Sequence, residues 1–221
     1  MPVGLPEFAV NPENRVPVVL LLDTSASMSG QPIQELNKGI VALKKDILRD
    51  TQASLSVEVA IVGFGPVQLI QDFVTIDNFT PPILEAQGNT PIAEAIDSAL
   101  DLLEDRKATY KANGIQYYRP WVFLITDGAP TDSSDYWRAA AHRIQEDEAN
   151  RRLLFFAVGV QGANMQILKQ IAPPERPPVL LNGLDFSSLF IWLSTSMKRV
   201  SSGKVGEVLA LPPVGWGQIS T

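Results

Sequence analysis

The sequence predicts an α/β protein: a doubly wound, mostly parallel sheet flanked by helices, with one antiparallel edge strand. Three observations carry this. Residues 18–22 (VVLLL) and 121–125 (WVFLI) are unbroken apolar runs of strand length, the pattern of strands buried on both faces. Segments with helical apolar spacing separate the strand-like runs. Both runs stop abruptly in polar clusters, Asp23-Thr24-Ser25-Ala26-Ser27 and Thr126-Asp127-Gly128. In an open α/β sheet, ligands bind outside the carboxyl ends of the strands, where such clusters fall.

Residues 1–15 read as an extended arm and residues 16–22 as the first strand. Pro32 suits a first helical turn, where its missing N–H costs little. Ile33, Leu36, Ile40, Leu43 and Ile47 continue at helical spacing to about Asp50. Residues 55–64 alternate at first and end apolar, giving a second strand. Gly65-Pro66 marks a turn, so residues 67–76 form a hairpin partner, antiparallel and at the edge. A loop over 77–89 contains Pro81, Pro82 and Gly88. A helix starts near Pro91 and buries Ile92, Ile96, Ala99 and Leu103; residues 110–119 are a linker around Gly114. After the strand at 121–126, a helix over 134–151 buries Trp137, Ala141 and Ile144. Residues 153–160 form a strand, and Met165, Leu168 and Ile171 mark a short helix that the prolines of 173–178 break. A last short strand covers 179–181. Phe186, Leu189, Phe190, Leu193, Met197 and Val200 define a long final helix. Residues 202–221 hold four glycines and two prolines and read as a tail. Trp216 within it could dock on the domain or on a partner, or be disordered. Trp121, Trp137 and Trp192 read as packing residues. With no second core and no repeat, the division is an arm (1–15), one domain (16–201) and a tail (202–221).

Composition narrows the function. Apolar residues are 45% and charged residues 19% of the 221 positions, as in a globular domain with a full core. The net charge of −6 argues against a nucleic-acid groove, which needs a basic face. There is no cysteine, which excludes disulfides and thiolate metal sites. The first fifteen residues lack the basic start and apolar run of a signal peptide. No apolar stretch approaches the ~20 residues of a membrane span. A cytoplasmic protein is the expectation.

The chemistry-bearing residues are Asp23, Ser25, Ser27, Thr90 and Asp127. Each has a plain structural reading. Asp and Ser favour turns; Thr90 before Pro91 suits a helix N-cap; Asp127-Gly128 suits a turn. Together they form an all-oxygen donor set at the carboxyl edge of one sheet, which suits magnesium, manganese or calcium rather than zinc or copper. His142, the single histidine, lies in a predicted helix beside Arg143 and reads as a surface or boundary residue.

Asp23-Thr24-Ser25-Ala26-Ser27, Thr90 and Thr126-Asp127-Gly128 resemble the metal-ion-dependent adhesion site (MIDAS) of von Willebrand factor A domains, over about residues 16–200. More narrowly, the turn from Asp23 to Pro32, the Gly88-Asn89-Thr90-Pro91 loop and the segment from Thr126 to Asp132 resemble the bacterial TerY-like proteins of tellurium-resistance clusters. Some of those relatives carry a cysteine-rich zinc module, for which this sequence has no cysteine. The resemblance implies that Ser25, Ser27 and Thr90 bind Mg2+ (or Mn2+, with Ca2+ an alternative) through their hydroxyls. Asp23 and Asp127 would act through water or by orienting hydroxyls. It further implies a non-enzymatic, metal-dependent protein-binding scaffold in a tellurite or stress response, alongside a partner kinase and phosphatase. The partner would supply an Asp or Glu to the metal. Loops 28–32, 77–89 and 128–135 would set specificity, with Met28, Asn89, Asp132 and Asp135 as candidate partner contacts.

The competing class is a magnesium-dependent phosphohydrolase. A haloacid-dehalogenase-like site wants a second Asp two residues after the first, and position 25 is Ser. A serine hydrolase needs a base at its nucleophile, and there is neither a GxSxG nor an evident pairing for His142.

Overall fold

A computed structural model describes residues 6–207 and 209–219. The elements in chain order are α1 (Pro6–Val10), β1 (Val16–Asp23), a 3-10 turn (Ala26–Met28), α2 (Gln31–Ile47), α3 (Thr51–Ser56), β2 (Val57–Phe64) and β3 (Gln68–Thr75). They continue with α4 (Ile92–Ala112), β4 (Trp121–Thr126), α5 (Ser134–Ala149), β5 (Leu154–Gly159), α6 (Met165–Ile171), β6 (Val179–Leu181), α7 (Phe186–Ser202) and β7 (Gly217–Ile219). The strands form one sheet in the order β3-β2-β1-β4-β5-β6-β7. β2, β1, β4, β5 and β6 run parallel, and β3 and β7 close the two edges antiparallel.

The period of two along β1 divides the core. Val18, Leu20 and Leu22 face α2 and α7, together with Phe123 and Ile125 of β4. Val19 and Leu21 face α4 and α5, with Val122 and Leu124. All eight residues of β1 and all eight of β2 are buried, as the continuous apolar run requires. The reversal of strand order falls at β1 and β4. The carboxyl ends of those two strands therefore open the crevice that the sequence marks with polar residues.

Four local expectations need correction. The arm contains α1 rather than extended chain throughout. Phe8 is buried, and the guanidinium groups of Arg15 and Arg106 lie over its ring at 5.3 and 5.2 Å. The remainder of the arm, residues 1–5, lies outside the described residues. Between α2 and β2 there is a short helix, α3, because the Asp50 carboxylate caps it by accepting from Ala53 N at 2.9 Å; the strand starts at Val57, not residue 55. Within the tail, residues 217–219 return to the sheet as β7, so β6 is not the last strand and the sheet has two antiparallel edges, not one. Trp216 docks on the domain at 3% exposure; residues 208, 220 and 221 lie outside the described residues.

α7 lies directly on α2. Gly39 makes this possible, since a Cβ there would come within 2.5 Å of the Phe190 ring. The contact ends in a polar clamp: Ser194 Oγ and Lys198 Nζ each donate to Asp46 Oδ2 at 2.7 Å. Burial alone would raise the Asp46 carboxyl, but the Lys198 and Ser194 hydrogen bonds outweigh it and hold the group below its ordinary value.

The buried Glu58, at the start of β2, meets a different set. Arg15 Nε donates to its Oε1 at 2.8 Å, and Arg106 donates to both oxygens at 2.8 and 2.9 Å. The Tyr110 hydroxyl donates to Oε2. Burial, and then the Glu58 charge, push the Tyr110 phenol far above its ordinary value. Arg106 Nη1 also reaches Glu7 of α1 at 2.9 Å, so this network ties the amino-terminal helix to the sheet.

Two stability predictions follow from these contacts. Asp46→Asn should lower the melting temperature at pH 7 by a few degrees, the effect of about 1–2 kcal/mol from charge-assisted hydrogen bonds. A depressed carboxylate stabilises above its unfolded pKa, and the contribution is lost as pH falls through the folded value. The gap between wild type and variant, measured by thermal melts from pH 7 downward, should therefore close below about pH 4; a gap that persists there would show that the clamp is not ionic. Glu58→Gln leaves the buried Arg15 without a counter-charge and Arg106 with only the half-exposed Glu7, and should cost about 3–5 kcal/mol. Urea titration measures this, and a loss below about 1 kcal/mol would mean that water replaces Glu58.

Candidate metal centre

β1 ends at Asp23, whose side chain has no exposed surface. One carboxylate oxygen accepts from Ser25 N at 2.8 Å, and the other accepts the Thr126 hydroxyl of the neighbouring strand. Thr126 Oγ1 in turn accepts from Gly128 N at 3.1 Å. Asp23 thus joins the chain after β1 to the chain after β4. Burial pushes the Asp23 carboxyl above its ordinary value; hydrogen bonds from Ser25 and Thr126 oppose this, and the Asp127 charge adds to it.

The 3-10 turn then brings Ser27 back over the edge. Ser25 Oγ and Ser27 Oγ lie 2.9 Å apart, and Ser27 Oγ donates to Asp127 Oδ1 at 2.7 Å. Thr90 enters from the long loop before α4. Its hydroxyl would lie 3.5 Å from a Cβ built on Gly128, an ordinary contact distance that places Thr90 beside the Asp127-Gly128 turn. The loop after β4 accommodates it further: Thr131 N donates to Thr90 O at 3.0 Å.

The loop that carries Thr90 is pinned along its length. Asn37 of α2 both donates to Leu84 O and accepts from Leu84 N, at 3.0 and 2.9 Å. Gln87 N donates to Thr24 O at 2.7 Å, and Ala26 N donates to Gly88 O at 3.1 Å. The approach at Gly65 and Gly88 tolerates no side chain. A Cβ at Gly65 would stand 2.4 Å from Thr24 O, and one at Gly88, which has a φ of +72°, would stand 2.3 Å from Gly65 O.

The structure therefore brings Asp23, Ser25, Ser27, Thr90 and Asp127 to one edge. The four predicted partner contacts divide. Asn89 is exposed beside Thr90. Asp135 is exposed on the first turn of α5 and pairs with Arg138. Met28 is fully buried in the core beneath α2, so the expectation of a partner contact there is wrong: the 3-10 turn points it inward. Asp132 is half-buried and accepts from Ala93 N at 3.0 Å and Glu94 N at 3.4 Å, capping α4 from a distance. It replaces Thr90, whose side chain does not cap that helix. Thr126 is the residue that sequence reasoning passed over. A hydroxyl in the last position of an apolar strand, next to Asp127, was the available signal.

The residues fit a hard divalent cation. They offer oxygen alone, with two carboxylates close enough to repel one another. Adjacent ligands of an octahedral magnesium ion at about 2.1 Å stand about 3.0 Å apart, and the two serine hydroxyls already stand 2.9 Å apart.

The chain is similar in fold to several solved structures. Proximal thread matrix protein 1 of the mussel byssus superposes with a TM-score of 0.56 at 18% identity, over 84% of this chain and 48% of that one; the chain spans about half its length. The same protein is also known with a zinc-occupied MIDAS motif, at 17% identity and a TM-score of 0.55 over the same shares. The vWF domain of the type V pili tip protein Mfa5 from Porphyromonas gingivalis gives 0.62 at 13% identity, over 89% of this chain and 99% of that one. Manganese-loaded TRAP protein from Plasmodium vivax gives 0.51 at 22% identity, over 82% and 73%. No curated protein matches the chain. Residues 18–190 match the von Willebrand factor type A domain, a span that takes in Asp23, Ser25, Ser27, Thr90 and Asp127. The chain belongs to the von Willebrand factor type A domain family.

Proposed function

We propose that this domain is a non-enzymatic, metal-dependent protein-binding module, with an intact MIDAS formed by Ser25, Ser27 and Thr90 as hydroxyl ligands and Asp23 and Asp127 as the carboxylates that orient them. The convergence of these five residues at the β1/β4 edge carries the reading. Mg2+ or Mn2+ is the cellular ion, with Ca2+ as an alternative. Neutral hydroxyls leave its charge largely unquenched, so the ion supplies an open position for an Asp or Glu of the partner. Zinc and manganese in the related structures support a divalent ion without selecting magnesium. On the resemblance to TerY-like proteins, the module serves a cytoplasmic tellurite or stress response beside a kinase and a phosphatase. Among the described residues no helix is long and apolar enough to cross a membrane.

One observation weighs against the phosphohydrolase. A phosphoryl-accepting aspartate needs a free, accessible oxygen. Asp23 is buried, and both of its oxygens already accept hydrogen bonds.

The direct test is calorimetry with MgCl2 and MnCl2. One weak site should appear in the wild type and disappear in Ser25→Ala and Thr90→Ala, with both variants folded. The ordinary core of the two apolar clusters means that EDTA should leave the circular dichroism at 25 °C unchanged. Unaltered titrations in both variants would place the metal elsewhere.

Partner capture separates the surrounding acids. Retention of a protein partner on the immobilised domain should need Mg2+, fail in EDTA, and fail with Thr90→Ala. Asp135→Ala should behave as wild type. Asp132→Ala should lower the melting temperature by about 2–4 °C for the lost cap and weaken metal binding, because the cap holds the start of α4 next to Thr90. Retention that EDTA does not change would exclude a metal bridge.

A further inference from the structure

A second site lies away from the metal edge, where the returning C-terminal segment passes over β5, β6 and α7. There, Phe156, Val158, Val179, Arg176, Trp192 and Trp216 enclose much of a cavity of about 210 Å3, with Leu211, Pro212 and Val214 along one side. None of these residues belongs to the metal centre.

The walls are mainly aromatic. Phe156 and Trp192 have ring centres 6.0 Å apart and nearly perpendicular planes, and Trp192 and Trp216 follow at 5.7 Å. The Arg176 guanidinium lies over Phe156 at 5.7 Å. Trp192 Nε1 is satisfied, donating to Pro212 O at 2.9 Å. Trp216 Nε1 and Arg176 Nε are not. They are the buried side-chain polar atoms that lack a hydrogen-bond partner among the described residues, and both residues line this one cavity. Buried donors are nearly always paired in folded proteins, so two on residues that line the same cavity are an informative exception.

The charge balance points the same way. Glu148 is shared between Arg176 and Arg119. After burial, the Arg176 charge is among the influences that lower Arg119, so two guanidinium groups face one buried carboxylate. Glu175 also lines the cavity, is exposed, and does not supply the acceptor that Arg176 Nε lacks.

We propose that this cavity binds a small aromatic carboxylate, with its ring among Phe156, Trp192 and Trp216 and its carboxylate accepting from Arg176 Nε and Trp216 Nε1. The size is right for one ring and a short acid. An apolar cavity of about 150 Å3 holds benzene, and a water takes up about 30 Å3. Larger ligands need sites of about 300 Å3 or more. A charge-assisted hydrogen bond is roughly twice as strong as a neutral one, which favours the acid over its amide.

Phenylacetate and phenylacetamide are the probes, followed by saturation-transfer NMR and calorimetry on the full chain in EDTA. EDTA removes any contribution from the metal centre, so this test and the metal reading fail independently. Phenylacetate should bind with a millimolar or better Kd, and phenylacetamide about tenfold more weakly. Arg176→Met retains the stem and leaves Arg119 to pair with Glu148; it should weaken phenylacetate about tenfold and remove the preference for the acid. Trp216→Phe retains a ring and should weaken it severalfold. No binding by the wild type at about 10 mM would overturn the proposal. Equal binding of acid and amide would also overturn it, as would Arg176→Met binding like wild type. The comparison of acid with amide needs no variant, so the proposal stays testable if either substitution disturbs folding.

Discussion

A carboxylate with no exposed surface must have its lone pairs occupied or lose its charge. Asp23 stands in this position at the end of β1, an interior strand, and the geometry of the candidate metal edge follows from how it is satisfied. One oxygen takes the Ser25 amide, which bends the chain sharply as it leaves β1. The other takes the Thr126 hydroxyl, which locks β1 to β4 where the strand order reverses. Because Thr126 also accepts from Gly128 N, the turn after β4 is fixed by the same chain of bonds. The direction in which Asp127 faces is thereby tied to a residue more than a hundred positions earlier.

The opposite end of the sheet meets the same problem with other means. Glu58 is as buried as Asp23, but it is surrounded by cations and a phenol rather than by hydroxyls and amides. Its charge is neutralised within the fold, and nothing is left over for a ligand. At the candidate metal edge two carboxylates sit close together, and among the described residues no lysine or arginine is bonded to either. That asymmetry explains why the carboxyl end of the sheet is the end suited to a cation.

The sheet, its helices and the five oxygen-bearing residues were legible because each rests on a local pattern. VVLLL and WVFLI are buried strands in any context, and the acid after each falls at a strand end. What escaped depended on contacts distant in sequence. Asp132 reads as a loop acid until α4 is seen to start beside it, 39 residues away. Thr90 reads as the cap that Asp132 in fact supplies. Met28 carries no mark of which way a 3-10 turn will face it. β7 has three residues in a segment, 202–221, that holds four glycines, so only its pairing with β6 identifies it as a strand. Glu58 did carry a signal, a charged residue amid the buried run of 57–64, but its partners lie on α4 and before β1.

The protons of the metal edge add a final constraint. Ser27 has one hydroxyl hydrogen and gives it to Asp127. Its lone pairs are therefore left for other partners, and the 2.9 Å contact between the serines has Ser25 as donor. A cation between the two hydroxyls could not share its ligand sphere with that hydrogen. Ser25 would have to turn its proton away, and the neighbouring Asp23 carboxylate is an acceptor in contact with it, one whose charge a hydrogen bond from the Ser25 side chain favours. The two serine oxygens already have the separation that adjacent ligands of a small dication require. The buried acid that organises the fold would thus also be the acceptor that prepares the serine for metal.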